Sequence, residues 1–233
     1  LWDGRFGTSA EPITIDEAMR GVDQVYHLAA MISVPESMLK PRECVDLNVT
    51  GTLHVLEAAE AARVRKVVLA SSAAVYGDNP TVPKVETMLP EPKSPYAVTK
   101  LDGEYYLDLF RRDRGLATTS LRFFNVFGPR QRPDHEYAAV LPKWIWLAMQ
   151  GQAIDVYGDG SASRDFTYVD TVLDIAMTAM KEKITTEGAM NLAYGNRIFL
   201  NDTIEMLKKH FPDLQVNYKE NRLGDVKESQ NAP

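Results

Sequence analysis

The chain has 233 residues, 45% of them hydrophobic and 25% charged, which is ordinary for a globular protein that buries a full core. A net charge of −6 argues against nucleic acid as a partner, because no excess of basic residues is available to neutralise its phosphates. The single cysteine excludes an intrachain disulfide, the four histidines lack metal-site spacing, and the absence of a bilayer-length apolar run or a signal peptide makes a cytoplasmic enzyme without a membrane partner the default expectation.

Segments of helix and strand character alternate through the first 128 residues. In chain order we predict a short helix 14–20, a strand 24–30, a helix of about twenty residues after Arg42, a strand 66–71, a helix 95–113 and a strand 118–123. The spacing of Thr14 and Glu17 predicts a capping box for the first helix. This alternation predicts right-handed parallel crossovers and therefore an α/β fold with a doubly wound parallel sheet.

The alternation is less regular beyond Gly128. A polar loop over 130–136 precedes a predicted helix 140–150, a strand 154–157, a helix opened by Asp170, a strand 189–193, a helix 201–210 and a strand 214–218. No repeat, low-complexity tract or flexible linker interrupts the chain.

A glycine pattern near the start formally imitates a dinucleotide-binding fingerprint. Gly4, Gly7 and Ala10 have the spacing Gly-x-x-Gly-x-x-Ala, but only three residues precede Gly4, so no strand leads into the turn. Pro12 also follows where the helix of such a motif should run. We interpret the match as accidental.

The stretch 67–100 carries the strongest chemical signal. An apolar strand ends in Ser71 and Ser72, and a helix then opens with Ser94 as a good N-cap and proline at its first position. Tyr96 and Lys100 lie four residues apart, an advance of about 6 Å and about 40° past a full turn, so they share one helical face. An ammonium neighbour favours the phenolate, and lowering the pKa of the phenol by about 3 units corresponds to about 4 kcal/mol. The pattern predicts a tyrosine general base that works near neutral pH.

Several motifs together resemble the extended short-chain dehydrogenase/reductases, within them the nucleotide-sugar epimerase/dehydratase group and most closely its UDP-N-acetylglucosamine and UDP-glucose 4-epimerases. The motifs occur in the family's order across nearly the whole chain: His27-Leu-Ala-Ala30, Asn48-Val-Thr-Gly51-Thr, Ser71-Ser72-Ala-Ala-Val-Tyr76-Gly77, Tyr96-Ala-Val-Thr-Lys100, Arg122-Phe-Phe-Asn125-Val-Phe-Gly128-Pro129, Arg164-Asp165-Phe166 and Arg222-Leu-Gly-Asp225.

The resemblance implies NAD as the cofactor and assigns catalysis to Ser72, Tyr96 and Lys100. The residues it implies for the cofactor are His27, Leu28, Ala29, Ala30, Asn48, Ser71, Tyr96, Lys100 and Phe123. In this family Lys100 also binds the nicotinamide ribose, Phe123 lies beside the nicotinamide, and Asn48 supports the strand ends on the cofactor side.

The resemblance also implies a UDP-sugar substrate. Its binding residues are Ser33, Ser72, Asn125, Ala139, Val140, Tyr157, Arg164, Arg222, Asp225 and Ser229. Asn125 would bind the diphosphate and Tyr157 would stack on uracil, while the arginines would donate to phosphate oxygens. Asp225 would bind the ribose, and Ala139 and Val140 would make backbone contacts to the nucleotide sugar.

Two positions discriminate within the family. Sugar dehydratases and uronate decarboxylases place an acidic residue just after the strand-end serine or threonine, whereas this chain has Ala73 and Ala74, which favours simple epimerisation. Ser229 stands where epimerases restricted to unacetylated hexoses have a bulky tyrosine, so an N-acetyl group would fit. The run 137–144 is also similar to the UDP-N-acetylglucosamine 4-epimerases, and activity on UDP-glucose stays open.

The resemblance further implies the organisation of the chain. We expect a partial NAD-binding Rossmann-like domain over 1–128 and a mainly substrate-binding lobe over 129–233, with some segments returning to the first domain. Because each βα unit takes roughly 30 residues, about 60 residues of the family's N-terminal region would be missing, so the chain is expected to be a fragment. A homodimer is expected through the helices near 43–62 and 95–113.

Two alternatives to the 4-epimerase remain. One is another nucleotide-sugar oxidoreductase, either a 4-ketosugar reductase or a uronate epimerase. The other is an inactive fragment or a non-catalytic nucleotide-binding member of the family.

Overall fold

The computed structural model describes residues 5–6, 13–134, 138–181 and 187–220. Up to residue 127 the elements are β1 Arg5–Phe6, β2 Ile13–Thr14, α1 Ile15–Ala18, β3 Gln24–His27, α2 Val34–Leu39, α3 Pro41–Val45, a π-helical turn Asp46–Thr50, α4 Gly51–Ala61, β4 Lys66–Ser72, a 3-10 turn Ala73–Tyr76, α5 Pro95–Arg114, β5 Ala117–Phe123 and β6 Asn125–Phe127. They continue as α6 Val140–Met149, β7 Ile154–Tyr157, β8 Ser163–Arg164, β9 Phe166–Tyr168, α7 Val169–Lys181, β10 Ala189–Leu192, β11 Ile198–Phe199, α8 Leu200–Lys208 and β12 Val216–Lys219. Within these described ranges, no helix is both long and apolar enough to cross a bilayer.

The chain forms two compact units. Unit 1 contains Leu1–Gly77, Leu89–Phe123 and Asp174–Leu192, and unit 2 contains Asp78–Met88, Phe124–Leu173 and Ala193–Pro233. The expected assignment of cofactor and substrate roles to the two sides of residue 128 stays a prediction.

Unit 1 is built on a four-stranded parallel sheet in the order β10-β5-β4-β3. The central strand β4 is buried along almost its whole length, which explains its apolar run from Val67 to Ala70. Leu56 and Leu107 of the flanking helices pack with Val67 and Leu69 of β4 to form the core. The predicted α/β fold with a parallel, Rossmann-like sheet is confirmed.

Unit 2 has smaller sheets around its own core. β6 pairs with β9 and β7 with β12 in parallel, while β8 pairs with β11 antiparallel. Trp144 of α6, Ile154 and Val156 of β7, and Leu200 and Ile204 of α8 form the centre of this core.

Most predicted elements lie where the sequence placed them, and the differences have local causes. The capping box of Thr14 and Glu17 is present, with Thr14 Oγ1 accepting from the Glu17 amide at 3.2 Å. The strand predicted over 24–30 ends at His27. The predicted long helix begins at Pro41 and runs to Ala61, but through the wide π-helical turn. The sequence did not predict α2, the 3-10 turn, or the two- and three-residue strands of unit 2.

Candidate active site

Three strand ends of unit 1 carry residues of the predicted site. In a parallel sheet the carboxyl ends lie at one edge, where ligands of doubly wound sheets bind. Ser72 of β4 lies opposite Phe123 of β5, and His27 of β3 lies opposite Leu69 of β4. Ser72 also caps the 3-10 turn, since its Oγ accepts from the Ala74 amide at 3.2 Å.

The start of α5 places Tyr96 and Lys100 against β4. Ser94 is the N-cap, as predicted, and its Oγ accepts from the Ala97 amide at 3.2 Å. Tyr96 lies close enough to Ser72 for hydrogen bonding between the two side chains to lower its pKa. Lys100 Nζ donates to the Ala70 carbonyl at 2.8 Å and lies 5.7 Å from the centroid of the Tyr96 ring. The structure therefore brings Ser72, Tyr96 and Lys100 together.

The expectation that Lys100 lowers the pKa of Tyr96 is wrong in this structure. Burial is the largest influence and raises the pKa of Tyr96 above its usual value, although the hydrogen bond with Ser72 works in the opposite direction. The ammonium of Lys100 is directed to a backbone carbonyl of β4, so it forms no direct bond with the phenol. Burial also lowers the pKa of Lys100 to about 8.

His27 is a neutral imidazole with one assignable tautomer. Burial, and then the charge of Lys100, lowers its pKa to about 4. Thr52 Oγ1 donates its only proton to the Asn48 carbonyl at 2.5 Å, so it accepts from His27 Nε2 at 2.9 Å. The ring is thereby fixed at the end of β3.

The residues after β3 differ in exposure. Leu28 is 59% exposed and Ala29 is also exposed, while Ala30 is half-buried. Their position at a carboxyl strand end, with small side chains at 29 and 30, fits the close approach of a flat cofactor to the backbone.

Asn48 holds this loop to α5. Its Oδ1 accepts from the Met31 amide at 2.7 Å, and its Nδ2 donates to the Met31 carbonyl at 3.1 Å and to Thr99 Oγ1 at 2.9 Å. This arrangement agrees with the implied supporting role, which stays a prediction.

Two serines of the predicted site have local partners. Ser71 is buried, and its hydroxyl donates to Glu104 Oε1. Ser33 is the N-cap of α2, where its Oγ accepts from the Glu36 amide at 3.1 Å. Their contacts to cofactor and substrate stay predictions.

Unit 2 contains a cavity of about 860 Å³. Five residues predicted for substrate binding line it together: Asn125, Ala139, Val140, Tyr157 and Arg164. They come from four separate elements and the residue that precedes α6, so only the folded unit places them around one space. Arg222, Asp225 and Ser229 lie outside the described residues.

Two further residues of this region were missed by the sequence analysis. Lys143 of α6 lines the same cavity and adds a second cationic side chain to that of Arg164. Asp165 is fully buried, and its carboxylate accepts from the amides of Tyr194 and Gly195, both at 3.1 Å. Its carbonyl accepts from the amide of Asn125 at 3.2 Å, which positions a cavity residue. Asp165 stands inside the Arg-Asp-Phe motif, which was the available signal.

A Rossmann-like parallel sheet, with Ser72, Tyr96 and Lys100 grouped near the end of β4, places this chain in the α/β class whose ligands bind at the carboxyl ends of the strands. The sequence profile of the NAD dependent epimerase/dehydratase family matches residues 6–193, and the chain belongs to that family. The expected cofactor, NAD, is therefore confirmed at the level of the family.

Individual relatives differ in their reactions. A UDP-glucose 4-epimerase of Mycolicibacterium smegmatis is 42% identical over 156 residues, which are 66% of this chain and 50% of that protein. A UDP-N-acetyl-alpha-D-glucosaminuronate decarboxylase of Bacillus cytotoxicus is 37% identical over 179 residues, 75% of this chain and 55% of that protein. The chain thus spans little more than half the length of these curated relatives.

A solved structure is similar over nearly the whole chain. The UDP-N-acetylglucosamine 4-epimerase of Methanobrevibacter ruminantium M1, in complex with UDP-N-acetylmuramic acid, has a TM-score of 0.90 and 36% identity. The match covers 94% of this chain and 70% of that one.

Proposed function

We propose that this chain catalyses epimerisation at carbon 4 of a UDP-hexose, through a transient 4-keto sugar. The observation that supports this reaction best is the grouping of Ser72, Tyr96 and Lys100 at the end of β4. Ala73 and Ala74 follow Ser72 in the 3-10 turn, and neither can transfer a proton. Their side chains favour a reaction that needs one acid–base group over an elimination or a decarboxylation.

The proposed chemistry divides between the protein and the cofactor. Bound NAD would supply reversible hydride transfer at carbon 4, so the sugar would undergo no net oxidation. The phenolate of Tyr96 takes the proton of the 4-hydroxyl and later gives it back. Ser72 hydrogen-bonds the same sugar oxygen, and its hydrogen bonding to Tyr96 lowers the pKa of the phenol against the larger effect of burial. Lys100 holds the end of β4 through its hydrogen bond to the Ala70 carbonyl.

The residues at the strand ends fit NAD as the resident cofactor. Ala29 and Ala30 leave the backbone after β3 approachable, and Phe123 ends β5, on the other side of β4. His27, Leu28, Asn48 and Ser71 complete the set that would hold the cofactor. Buried and neutral, His27 adds no positive charge to that of the Lys100 ammonium at this edge of the sheet.

The cavity of unit 2 supports a nucleoside diphosphate sugar as the substrate class. Asn125 and Arg164 would donate to phosphate oxygens, and Tyr157 would stack on uracil. Ala139 and Val140 offer backbone groups at the start of α6. The N-acetylated hexose is favoured by the sequence 137–144 and by Ser229, and the similarity to a UDP-N-acetylglucosamine 4-epimerase supports the same choice.

Replacing Tyr96 with phenylalanine tests the general base. In the full-length protein, Tyr96→Phe should lower turnover of UDP-N-acetylglucosamine by about 10²–10⁴-fold, the usual contribution of a general base. Tyr194→Phe is a matched control, because the Tyr194 side chain is largely exposed and should leave turnover unchanged. Retention of more than a few per cent of turnover by Tyr96→Phe would contradict the assignment.

Nucleotide binding can be tested without turnover. Tyr157→Ala should weaken the binding of UDP, measured by isothermal titration calorimetry, by about ten- to a hundredfold, since base stacking contributes about 1–3 kcal/mol. An unchanged affinity would remove Tyr157 from the nucleotide site.

Separation of the sugar nucleotides distinguishes the alternative functions. Stoichiometric consumption of NADH or NADPH would indicate a 4-ketosugar reductase, and conversion of UDP-glucuronate alone would indicate a uronate epimerase. Binding of UDP without conversion of any sugar would favour a non-catalytic member of the family.

We also propose a homodimer through α5 and the helix from Pro41 to Ala61. These helices expose apolar side chains at Val45, Val98, Tyr105 and Leu109, which a second copy of the chain would cover. Light scattering after gel filtration should give twice the chain mass for the full-length protein and the monomer mass for Leu109→Glu. A monomeric parent protein would refute the interface.

A further inference from the structure

A buried polar network lies beneath the end of β4 in unit 1. Ser71 of β4, Arg122 of β5 and Asn191 of β10 lie side by side across three neighbouring strands. Glu104 of α5 and Tyr76 of the 3-10 turn connect this row. We call these five residues the Glu104 network; Ser71 also belongs to the set that would hold the cofactor, and the proposed reaction assigns no role to the other four.

The centre of the Glu104 network is a two-point ion pair. Glu104 Oε2 accepts from Arg122 Nη2 at 2.8 Å, and Glu104 Oε1 accepts from Arg122 Nε at 2.9 Å. Glu104 Oε1 also accepts from the Ser71 hydroxyl. Arg122 Nη1 donates to the Tyr76 hydroxyl at 2.9 Å, which in turn donates to Asn191 Oδ1 at 2.7 Å. The bonds of Ser71 and Tyr76 tie β4 and the 3-10 turn to the pair, and Asn191 adds β10 through Tyr76.

Both members of the pair are almost completely removed from water. The side chains of Glu104 and Arg122 are each 6% exposed. Burial opposes the charge of Arg122, but the hydrogen bonds and charge of Glu104 outweigh it, and the pKa of Arg122 is raised above its usual value. A buried ion pair is often no more stabilising than apolar residues of the same size, so stability alone is a weak reason for it.

Glu104 continues the face of α5 that carries Tyr96 and Lys100. The three residues are spaced by four, and each faces one of the last three residues of β4. Lys100 donates to the Ala70 carbonyl, Glu104 accepts from Ser71, and Tyr96 lies close enough to Ser72 for hydrogen bonding to lower its pKa. Arg122 of β5 fixes the contact between Glu104 and Ser71, because it donates to both oxygens of the Glu104 carboxylate.

We propose that the Glu104–Arg122 ion pair is a positioning device for the proton-transfer residues. It fixes α5 along β4 and thereby holds the Tyr96 phenol within hydrogen-bond distance of Ser72. Neither residue touches the reacting atoms, so both are positioning residues. The catalytic consequence rests on the proposed epimerase function, whereas the effect on Tyr96 does not.

The test compares a broken pair with an apolar pair. Glu104→Gln leaves the guanidinium buried without its counter-charge, and should lower both the melting temperature and kcat. The double variant Glu104→Leu/Arg122→Met removes both charges and should recover the melting temperature. Its kcat should nevertheless stay about a hundredfold below that of the parent, with KM for the UDP-sugar changed less than about threefold, because misplacement of about 1 Å can have that effect on rate.

The titration of Tyr96 provides a readout that needs no substrate. Nuclear magnetic resonance of protein labelled with ¹³Cζ-tyrosine follows each phenol, and Tyr96→Phe identifies the Tyr96 signal. Loss of the Ser72 hydrogen bond should raise the titration midpoint of Tyr96 by about one pH unit in the double variant. A parent protein inactive on every UDP-sugar would refute the proposed function, while this titration would still decide the positioning role.

Two further variants complete the test. Ser71→Ala keeps the ion pair and removes only its bond to β4, so it should move the Tyr96 midpoint in the same direction with little change in melting temperature. Asp108→Leu/Arg111→Met removes a more exposed ion pair of the same helix and should change neither quantity. The proposal is overturned if the Tyr96 midpoint stays at the parent value in Ser71→Ala and in the double variant, or if the double variant recovers kcat with its melting temperature.

Discussion

Lys100 should lower the stability of the fold in which it works. Its side chain is buried, and its ammonium donates a hydrogen bond to the Ala70 carbonyl at 2.8 Å. Burial lowers the pKa of Lys100 from 10.5 to about 8. At pH 7 the group is charged in both the folded and the unfolded chain, so the folded state carries the cost of a poorly solvated charge. Replacement by methionine keeps the length of the side chain and removes that cost.

The size of the effect follows from the pKa. The fall from 10.5 to about 8 corresponds to about 3 kcal/mol at about 1.36 kcal/mol per unit of pKa. Loss of the hydrogen bond to Ala70 reduces this gain in stability by about 1 kcal/mol. Lys100→Met should therefore raise the free energy of unfolding at pH 7 by about 2 kcal/mol, or the melting temperature by about 4–8 °C. The same variant should lose epimerase turnover.

Thermal unfolding as a function of pH is the decisive assay. Between pH 8 and 10.5 the unfolded chain holds the Lys100 proton and the folded chain does not, so stability of the parent rises with pH in that window. The advantage of Lys100→Met should accordingly shrink from pH 8 towards 10.5. Lys208→Met, at a partly exposed helix position, is the matched control and should change stability by less than about 0.5 kcal/mol. A lower melting temperature for Lys100→Met at pH 7 would refute the reasoning.

Two further predictions concern other parts of unit 1. Burial and then Lys100 lower the pKa of His27 from 6.5 to about 4, so the parent should lose about 3 kcal/mol of stability as the pH falls from 6.5 through 4. The stability of His27→Gln should fall by about 3 kcal/mol less over the same range. Equal acid sensitivity of the two proteins in thermal unfolding would contradict this. At Gly77, with φ of 57°, an added Cβ would lie 1.9 Å from the Glu91 carbonyl oxygen, whereas at Gly115, with φ of 71°, it would meet no atom within 4 Å. In chemical denaturation, Gly77→Ala should therefore lower the free energy of unfolding by about 3 kcal/mol or more, and Gly115→Ala by only about 1 kcal/mol. Similar losses in the two variants would show that the close approach to Glu91 does not matter.

The elements of unit 1 could be predicted because their signals are local. The apolar run of β4 predicted a buried strand, and Ser94 with Pro95 predicted the start of α5 to the residue. The π-helical turn and the short α2 had no such signal. A π-helical turn differs from an α-helix by a single extra residue in one turn, which leaves the apolar pattern almost unchanged.

The spacing of Tyr96 and Lys100 predicted their common face but not their electrostatics. Spacing on a helix gives proximity, whereas the pKa of the phenol depends on burial against β4, which only the packed structure reveals. The same limit applies to the Glu104 network. Ser71, Glu104 and Arg122 stand in the sequence with no spacing that relates them. Strand register places Ser71 beside Arg122, and the packing of α5 on the sheet adds Glu104.

The substrate side was reached through resemblance rather than spacing. Asn125 is far from Tyr157 and Arg164 in sequence, and no periodicity connects the three, yet they line one cavity. Asp165 was missed because its role is to bind backbone amides of a loop some thirty residues away, which a single sequence does not reveal.

The widened turn at Asp46–Thr50 sets the rotational phase of a long helix. The wide turn takes up one residue more than an α-helical turn, so deleting one residue there would leave Cys44 and its neighbours facing the interior as before. Each residue of an α-helix adds about 100° of rotation, so a deletion in the regular α-helical part before it would swing the preceding residues by about that angle relative to α4. In the first case only Asn48, which lies within the turn and bonds Met31 and Thr99, would change its position. The turn is therefore the point at which the long helix can lose one residue without changing which side of it faces the core.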